Sequence, residues 1–367
     1  MRICIGCFAL FAAACATIPP PPPPSNTPPQ AAAQQSPLGA PMSVSQDAEA
    51  NTLYARAEEM FAHGDPRTGG AFANAREAIR LYQQAADRDS HLALAYVQIA
   101  RAWQMQGYSN PDAPPGDVIE RSSRAALTRA LEIDPNLPQA HQMLAQIYYL
   151  SDYNWAAAER EYRWAIEHDS SNAAAHAGLA GFLATMGRFD EAMRQAILAE
   201  NIRHSAGDAF SRARIYYDMR NYDAAVEHCR RSLSMQENQA VRFFLGLMLI
   251  AQGHPQDGLT ELENAAHQGD NAGAWLGLAY GYATVGRADE ARQIVSTVTR
   301  THAEAPPYRL AAVYLALGDR DEAIRQLRAD HEGHGNWTVQ LKVDPVMDPL
   351  RADPRFQALV RTLNFPV

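Results

Sequence analysis

Lysine is nearly absent: the 367-residue chain has one, Lys342, so its 32 basic residues are almost all arginines. These stand beside acidic residues along the chain, the net charge is −9, and no basic stripe with interleaved aromatics forms. Nucleic acid is therefore not an expected partner. Cysteine is scarce as well. Cys4 and Cys7 fall in an apolar run at the front, Cys15 closes that run, and Cys229 stands alone, so disulfides say nothing about compartment. Nucleophile and phosphate motifs are missing: there is no glycine-rich phosphate loop, no G-x-S-x-G and no carboxylate pair in an apolar setting. His331-Glu332-Gly333-His334 has metal-ligating residue types, but not the i, i+4 spacing of a helical zinc motif, and it reads as a helix exit. No enzyme activity, cofactor, metal or small-molecule substrate is expected. Acid pairs such as Glu58-Glu59 and Asp289-Glu290 read as solvated helix positions.

What is present is a period. M-G-R-F-D-E-A-M-R-Q-A from Met186 returns as V-G-R-A-D-E-A-R-Q-I-V from Val285 and L-G-D-R-D-E-A-I-R-Q-L from Leu317, with weaker copies at Met219 and Gln252. The small residue after the acidic pair falls at Ala192, Ala225, Gly258, Ala291 and Ala323, in steps of 33, 33, 33 and 32. Such a period marks a solenoid of stacked supersecondary units. Upstream of each copy the i, i+3, i+4, i+7 spacing of His176, Leu179, Ala180 and Leu183, or Trp275, Leu278, Ala279 and Tyr282, forms one face of a helix. Gly187, Gly286 and Gly318 predict a tight turn to a second helix, opened by Asp190, Asp289 or Asp321. Such a pair cannot bury its apolar face alone.

These residues resemble the tetratricopeptide repeat, whose pattern has a small residue at position 8 and Ala at positions 20 and 27. Earlier copies fit with insertions, as in His141, Leu144, Ala145 and Tyr148 leading to Ala158, Tyr162 and Ala165, and Tyr96, Ile99, Ala100 and Trp103 leading to Leu127 and Ala130. Arg212 stands where Leu is expected and Gly258 where Ala is. The resemblance implies an all-α fold, a right-handed α-solenoid of about eight helix-turn-helix repeats over residues 51–335. In that family the first helix of each pair lines a concave groove through positions 2, 5, 9, 12 and 13. Carried over, these are Arg101, Gln142, Gln146, Tyr149, Phe210, Arg214, Tyr217, Phe243, Leu247 and Tyr280, a set suited to a peptide segment of another protein. The lysine-rich clamp of some members is absent. Cys229 falls on a packing position and reads as a buried thiol.

The two ends differ from the array. Met1 and Arg2, an apolar run to Ala14 and then Cys15 describe an export signal too short to span a bilayer. Ala12-Ala13-Ala14-Cys15 is similar to the bacterial lipobox, with Ala12 where Leu or Val usually stands, which implies lipidation of Cys15. A cleaved soluble export signal and a cytosolic start remain open. Residues 16–50, rich in Pro, Ala, Gln and Ser, read as a disordered tether. At the other end, Asp344-Pro345, Asp348-Pro349 and Asp353-Pro354 each place a carboxylate cap before a proline, and residues 336–367 read as a segment capping the last repeat. The run Leu341 to Phe356 is similar to the closing segment of bacterial tetratricopeptide proteins whose repeats often follow a signalling domain. Two functions are thus expected. One is a non-enzymatic protein-interaction scaffold of the cell envelope, a lipoprotein facing the periplasm from the outer membrane. The other is a cytosolic sensory or regulatory module.

Overall fold

A computed structural model describes residues 45–62, 70–106, 114–268, 271–302, 305–333, 335 and 337–366. Among them all regular elements are helical. Sixteen form eight consecutive pairs: α1 (Ala48–Ala62) with α2 (Gly70–Arg88), α3 (Ala93–Gln106) with α4 (Gly116–Ile133), α5 (Pro138–Leu150) with α6 (Trp155–His168), and α7 (Ala173–Thr185) with α8 (Phe189–Arg203). The other four are α9 (Ala206–Asp218) with α10 (Tyr222–Met235), α11 (Gln239–Gln252) with α12 (Pro255–His267), α13 (Ala272–Thr284) with α14 (Ala288–Thr301), and α15 (Pro307–Ala316) with α16 (Arg320–Glu332). This is the expected α-solenoid. The signal-like segment with Cys15, most of the proline-rich stretch and the long turns at 63–69 and 107–113 lie outside the described residues. The first helix starts at Ala48, ahead of the expected 51, because Asp47 accepts the Ala50 N–H at 2.8 Å.

The turns behave as their glycines require: Gly187, Gly286 and Gly318 take φ of 80°, 85° and 84°. The carboxylates after them act differently from expectation. Asp190, Asp289 and Asp321 sit in the first helical turn, where they complement the dipole without capping. The cap positions are Arg188 and Arg287, without a side-chain bond, and Asp319, which accepts the Glu322 N–H. Asparagine supplies most other caps: Asn154, Asn172, Asn221, Asn238 and Asn271 each accept an N–H of the following turn.

Between the helices the small residues Ala192, Ala225, Ala291 and Ala323 are fully buried. Both departures from the repeat pattern have a structural cause. Arg212 reaches back to the buried Glu200 at 2.7 Å, and Arg231 meets the same carboxylate at 2.8 Å, so an ion triad replaces an apolar contact. Gly258 faces Gly246 so closely that a Cβ on Gly258 would lie 2.7 Å from the Gly246 carbonyl oxygen.

Beyond α16 the chain forms two 3-10 segments, Thr338–Lys342 and Pro345–Leu350, and then α17 (Pro354–Thr362). Helix α17 does sit against α16: Phe356, Leu359 and Leu363 share a core with Ala323, Ile324 and Leu327, and Arg355 pairs with Asp321 at 2.6 Å. The segment before it goes elsewhere. Gln340 donates to the Thr185 hydroxyl at 3.2 Å, Lys342 to the Met186 carbonyl at 3.3 Å, and Arg220 to the Val343 carbonyl at 3.0 Å and to Asp348 at 2.5 Å. At its end the Trp155 indole donates to the Leu363 carbonyl at 2.8 Å, with Phe365 stacked 4.8 Å away. The closing segment thus bridges the eighth pair to the third, fourth and fifth.

Two details follow from that path. Asp344 and Asp353 cap as expected, accepting from the N–H of Val346 and of Arg355. Asp348 does not cap, because the 3-10 turn runs through Pro349 and the carboxylate is held by Arg220 and Arg351 instead. Arg220 takes φ of 61°, the left-handed region that the turns at Gly187, Gly253, Gly286 and Gly318 fill with glycine. That conformation costs a non-glycine residue about 1–2 kcal/mol, and its side chain returns three bonds to the closing segment.

Candidate functional site

The first helices of the later pairs point their inner residues at the closing segment. Of the ten groove positions, Arg214, Tyr217, Phe243, Leu247 and Tyr280 gather beneath it. Tyr149 is also covered: its hydroxyl bonds Thr185 at 2.6 Å, and both face Gln340. Phe210 is half-buried and packs 5.3 Å from Phe244. Arg101, Gln142 and Gln146 stand apart on α3 and α5; Arg101 lies over the Phe61 ring at 5.1 Å, while Arg101 and Gln146 are half-exposed.

Under the segment is a cavity of about 30 Å³. Its walls are Tyr217, Phe243, Leu247, Leu276, Tyr280, Tyr308 and Arg309 from the array, closed by Trp337, Asp344 and Val346. Gly277 makes room for one wall, since a Cβ there would lie 2.0 Å from the Phe243 ring. The Tyr308 hydroxyl donates to Asp344 at 2.9 Å. Burial pushes the Tyr217 and Tyr308 hydroxyls well above their ordinary range, with the Asp344 charge adding to the shift. Both therefore stay protonated donors.

The rim is cationic and aromatic. The Arg309 guanidinium stacks 3.8 Å from the Phe243 ring and 5.0 Å from Trp337, and that of Arg214 lies 4.4 Å from Phe244 and 5.0 Å from Trp337. Burial, with the nearby Arg214 charge, lowers the Arg309 pKa to about 10, so it remains charged at neutral pH. One turn after Arg214, Asp218 is 3% exposed and its Oδ1 has no hydrogen-bond partner. Burial, reinforced by Asp344, raises its carboxyl to about 7 against the pull of Arg214 and Arg220.

Residues outside the groove have packing environments. Cys229 is buried with its Sγ 3.4 Å from Met248 Sδ, and burial pushes the thiol up to about 12. His331 lies 3.2 Å from the Thr362 hydroxyl and stacks on Tyr153; His334 falls outside the described residues. The sequence reading missed Leu276 and Tyr308, although they occupy the same inward register as Phe210 and Phe243. Extending that register into the last two pairs would have found them. Arg309 is off that register, and Trp337 and Asp344 lie beyond the periodic region, so no pattern marks them.

Comparison with known proteins agrees with this architecture. Models of the family described as "Tetratricopeptide repeat" match residues 209–239 and 249–309. The chain is 28% identical over 231 residues to the cellulose synthase operon protein C of Xanthomonas axonopodis pv. citri, covering 61% of this chain and 13% of that one. It is 26% identical over 148 residues to the type IV pilus assembly protein PilF of Pseudomonas aeruginosa, covering 40% of this chain and 54% of that one. It thus spans about half or less of the length of these relatives. In three dimensions it is similar to the Cut9–Hcn1 hetero-tetramer of the APC/C, with a TM-score of 0.55 and 14% identity over 88% of this chain and 57% of that one, which shows the shared fold. Two stretches of this array of helix pairs thus match tetratricopeptide repeats, and no helix among the described residues is long and apolar enough to cross a membrane.

Proposed function

We propose that this tetratricopeptide array is a non-enzymatic protein-interaction scaffold of the bacterial cell envelope, anchored by lipid on Cys15 and binding a segment of another protein on its inner face. The observation that carries the reading is that inner face. Arg101, Arg214 and Arg309 are half-exposed beside aromatic rings and Gln146 is half-exposed on α5, a surface of stacking platforms and hydrogen-bond donors suited to an extended segment. The closing segment limits where such a segment lies. Val339, Leu341, Val343, Met347 and Leu350 are all buried, and exposing each costs about 1.5–3 kcal/mol. A partner therefore binds beside the closing segment rather than in its place, along α3 and α5 and at the rim around Arg309. Pilus assembly and cellulose synthesis, named for the two relatives, are tasks of the cell envelope and support that location.

The test has two parts. Palmitate labelling that is blocked by globomycin and lost in Cys15→Ser is the expected result for anchoring; an unlabelled protein with an intact amino terminus in the cytosol overturns it. A photo-crosslinking residue at Arg101 or Gln146 is expected to trap a protein in cells, whereas one at the outward-facing Arg194 is not. Equal trapping at all three positions removes the inner face as the binding surface.

A further inference from the structure

Among the described residues, the half-buried arginines are matched to carboxylates except for Arg101, which lies over the Phe61 ring, and two around the cavity. Arg124 holds Glu120 and Asp152, Arg212 holds Glu200, Arg242 holds Glu237 and Glu261, and Arg351 holds Asp348. Arg214 and Arg309 are half-buried and have neither an ion pair nor a side-chain hydrogen bond; the Nε of Arg214 is fully buried without an acceptor. Each guanidinium carries five N–H donors. Both lie 5.0 Å from the same ring, Trp337, so their charges also oppose one another. Stacking on Phe243, Phe244 and Trp337 fixes the planes and is worth about 0.5–2 kcal/mol per contact, but it offers no acceptor to the N–H groups.

The acids nearby do not complete the site. Asp344 is committed to the Tyr308 hydroxyl and the Val346 N–H. Asp218 is not within ion-pair distance of either arginine, and its raised pKa leaves it only partly ionised at neutral pH. The rim is thus a local excess of oriented donors and positive charge in a chain that is acidic as a whole.

We propose that Arg214 and Arg309, held on the Phe243–Phe244–Trp337 platform, form a receptor for carboxylate side chains of an acidic segment in the partner protein. This deepens the inner-face reading and rests on it. A carboxylate is planar and accepts two parallel N–H bonds from a guanidinium, which matches groups whose planes stacking has already fixed. The adjoining Tyr217 hydroxyl, kept protonated, adds a neutral donor, and the small cavity leaves space for displaced water rather than a large ligand. Because the closing segment contributes Trp337, the site exists only with that segment in place.

The test is calorimetric titration of the full chain, in detergent, with an acetylated and amidated peptide of alternating Glu and Ala, beside the same peptide with Gln for Glu. The Glu peptide is expected to bind, to weaken about tenfold between about 50 and about 300 mM salt, and to weaken about tenfold again in Arg214→Gln or Arg309→Gln. Arg309→Lys, which keeps the charge, retains more affinity than Arg309→Gln; if the Gln variants do not fold, that variant and the Glu-against-Gln comparison on the wild type decide. Equal binding of the two peptides, or no binding by either, overturns the proposal. So does tripolyphosphate binding with the same arginine dependence while the Glu peptide fails, which assigns the site to phosphate. None of these failures touches lipid labelling or crosslinking at Gln146, so the inner-face scaffold stands or falls separately.

Discussion

Asp218 shows how much one buried group can set the behaviour of the groove. It ends α9, faces the closing segment, and has an oxygen without a partner. Its carboxyl is raised by burial to about 7, so between roughly pH 4 and 7 the folded chain holds a proton that the unfolded chain has released. Stability therefore falls as pH rises through that window, by at most about 1.4 kcal/mol per unit. Asp218→Asn, neutral at every pH, is expected to match the wild type near pH 4 and to exceed it by about 1–3 kcal/mol near pH 8 in urea unfolding. If the variant keeps the wild-type slope, another group is responsible. Arg220, two residues later, is the converse case: backbone strain is accepted there because the side chain ties down Asp348 and Val343.

At the level of the helix pair, the crossing of α11 and α12 is where the repeat pattern misleads. A chain-pattern argument makes Gly258 a defect and Gly258→Ala an improvement, since alanine gains about 1 kcal/mol in a helix. The geometry opposes this. The added Cβ would meet the Gly246 carbonyl at 2.7 Å and the Ile250 side chain at 2.7 Å, and a backbone oxygen in a packed helix cannot move cheaply. Overpacking of this kind costs about 1–3 kcal/mol, so against that gain Gly258→Ala is expected to lower stability by up to about 2 kcal/mol net. Gly181→Ala, on an open face of α7 with nothing within 4 Å of the new atom, is expected to raise it. Thermal unfolding of both variants checks the pair; stabilisation by both would mean that α11 and α12 separate freely. The pairs themselves were legible in the sequence because each element is specified locally, by a 33-residue period, apolar spacing and turn glycines. The asparagine caps were not read, since the acidic residues after the turn glycines, Asp190, Asp289 and Asp321, are the more visible signal, and they open other helices.

Across the whole chain the decisive contacts are those that no periodicity announces. Arg220 and Asp348 are 128 residues apart, and Trp155 and Leu363 are 208 apart. The apolar stripe of Phe356, Leu359 and Leu363 was enough to read α17 as a cover for the last pair, but the residues before it carry no repeat, so nothing in them points to the third and fourth pairs. The two roles separate experimentally. A simple end cap, once removed, would loosen only α15 and α16. Because one core joins Tyr149, Trp155, Leu179 and Leu183 to Tyr308, Leu327, Met347 and Leu350, deletion of residues 337–367 is expected to speed amide hydrogen exchange in α5 and α7 as well as in α16, and to expose apolar surface to a hydrophobic dye. Should the truncated chain aggregate, Trp155→Phe with Phe365→Ala removes the distant anchor while leaving α17 on α16. Faster exchange in α5 and α7 in that variant upholds the bridge. Exchange that changes only in α16 would return the segment to the role of a local cap, and the groove beneath it would then be open to a partner along its whole length.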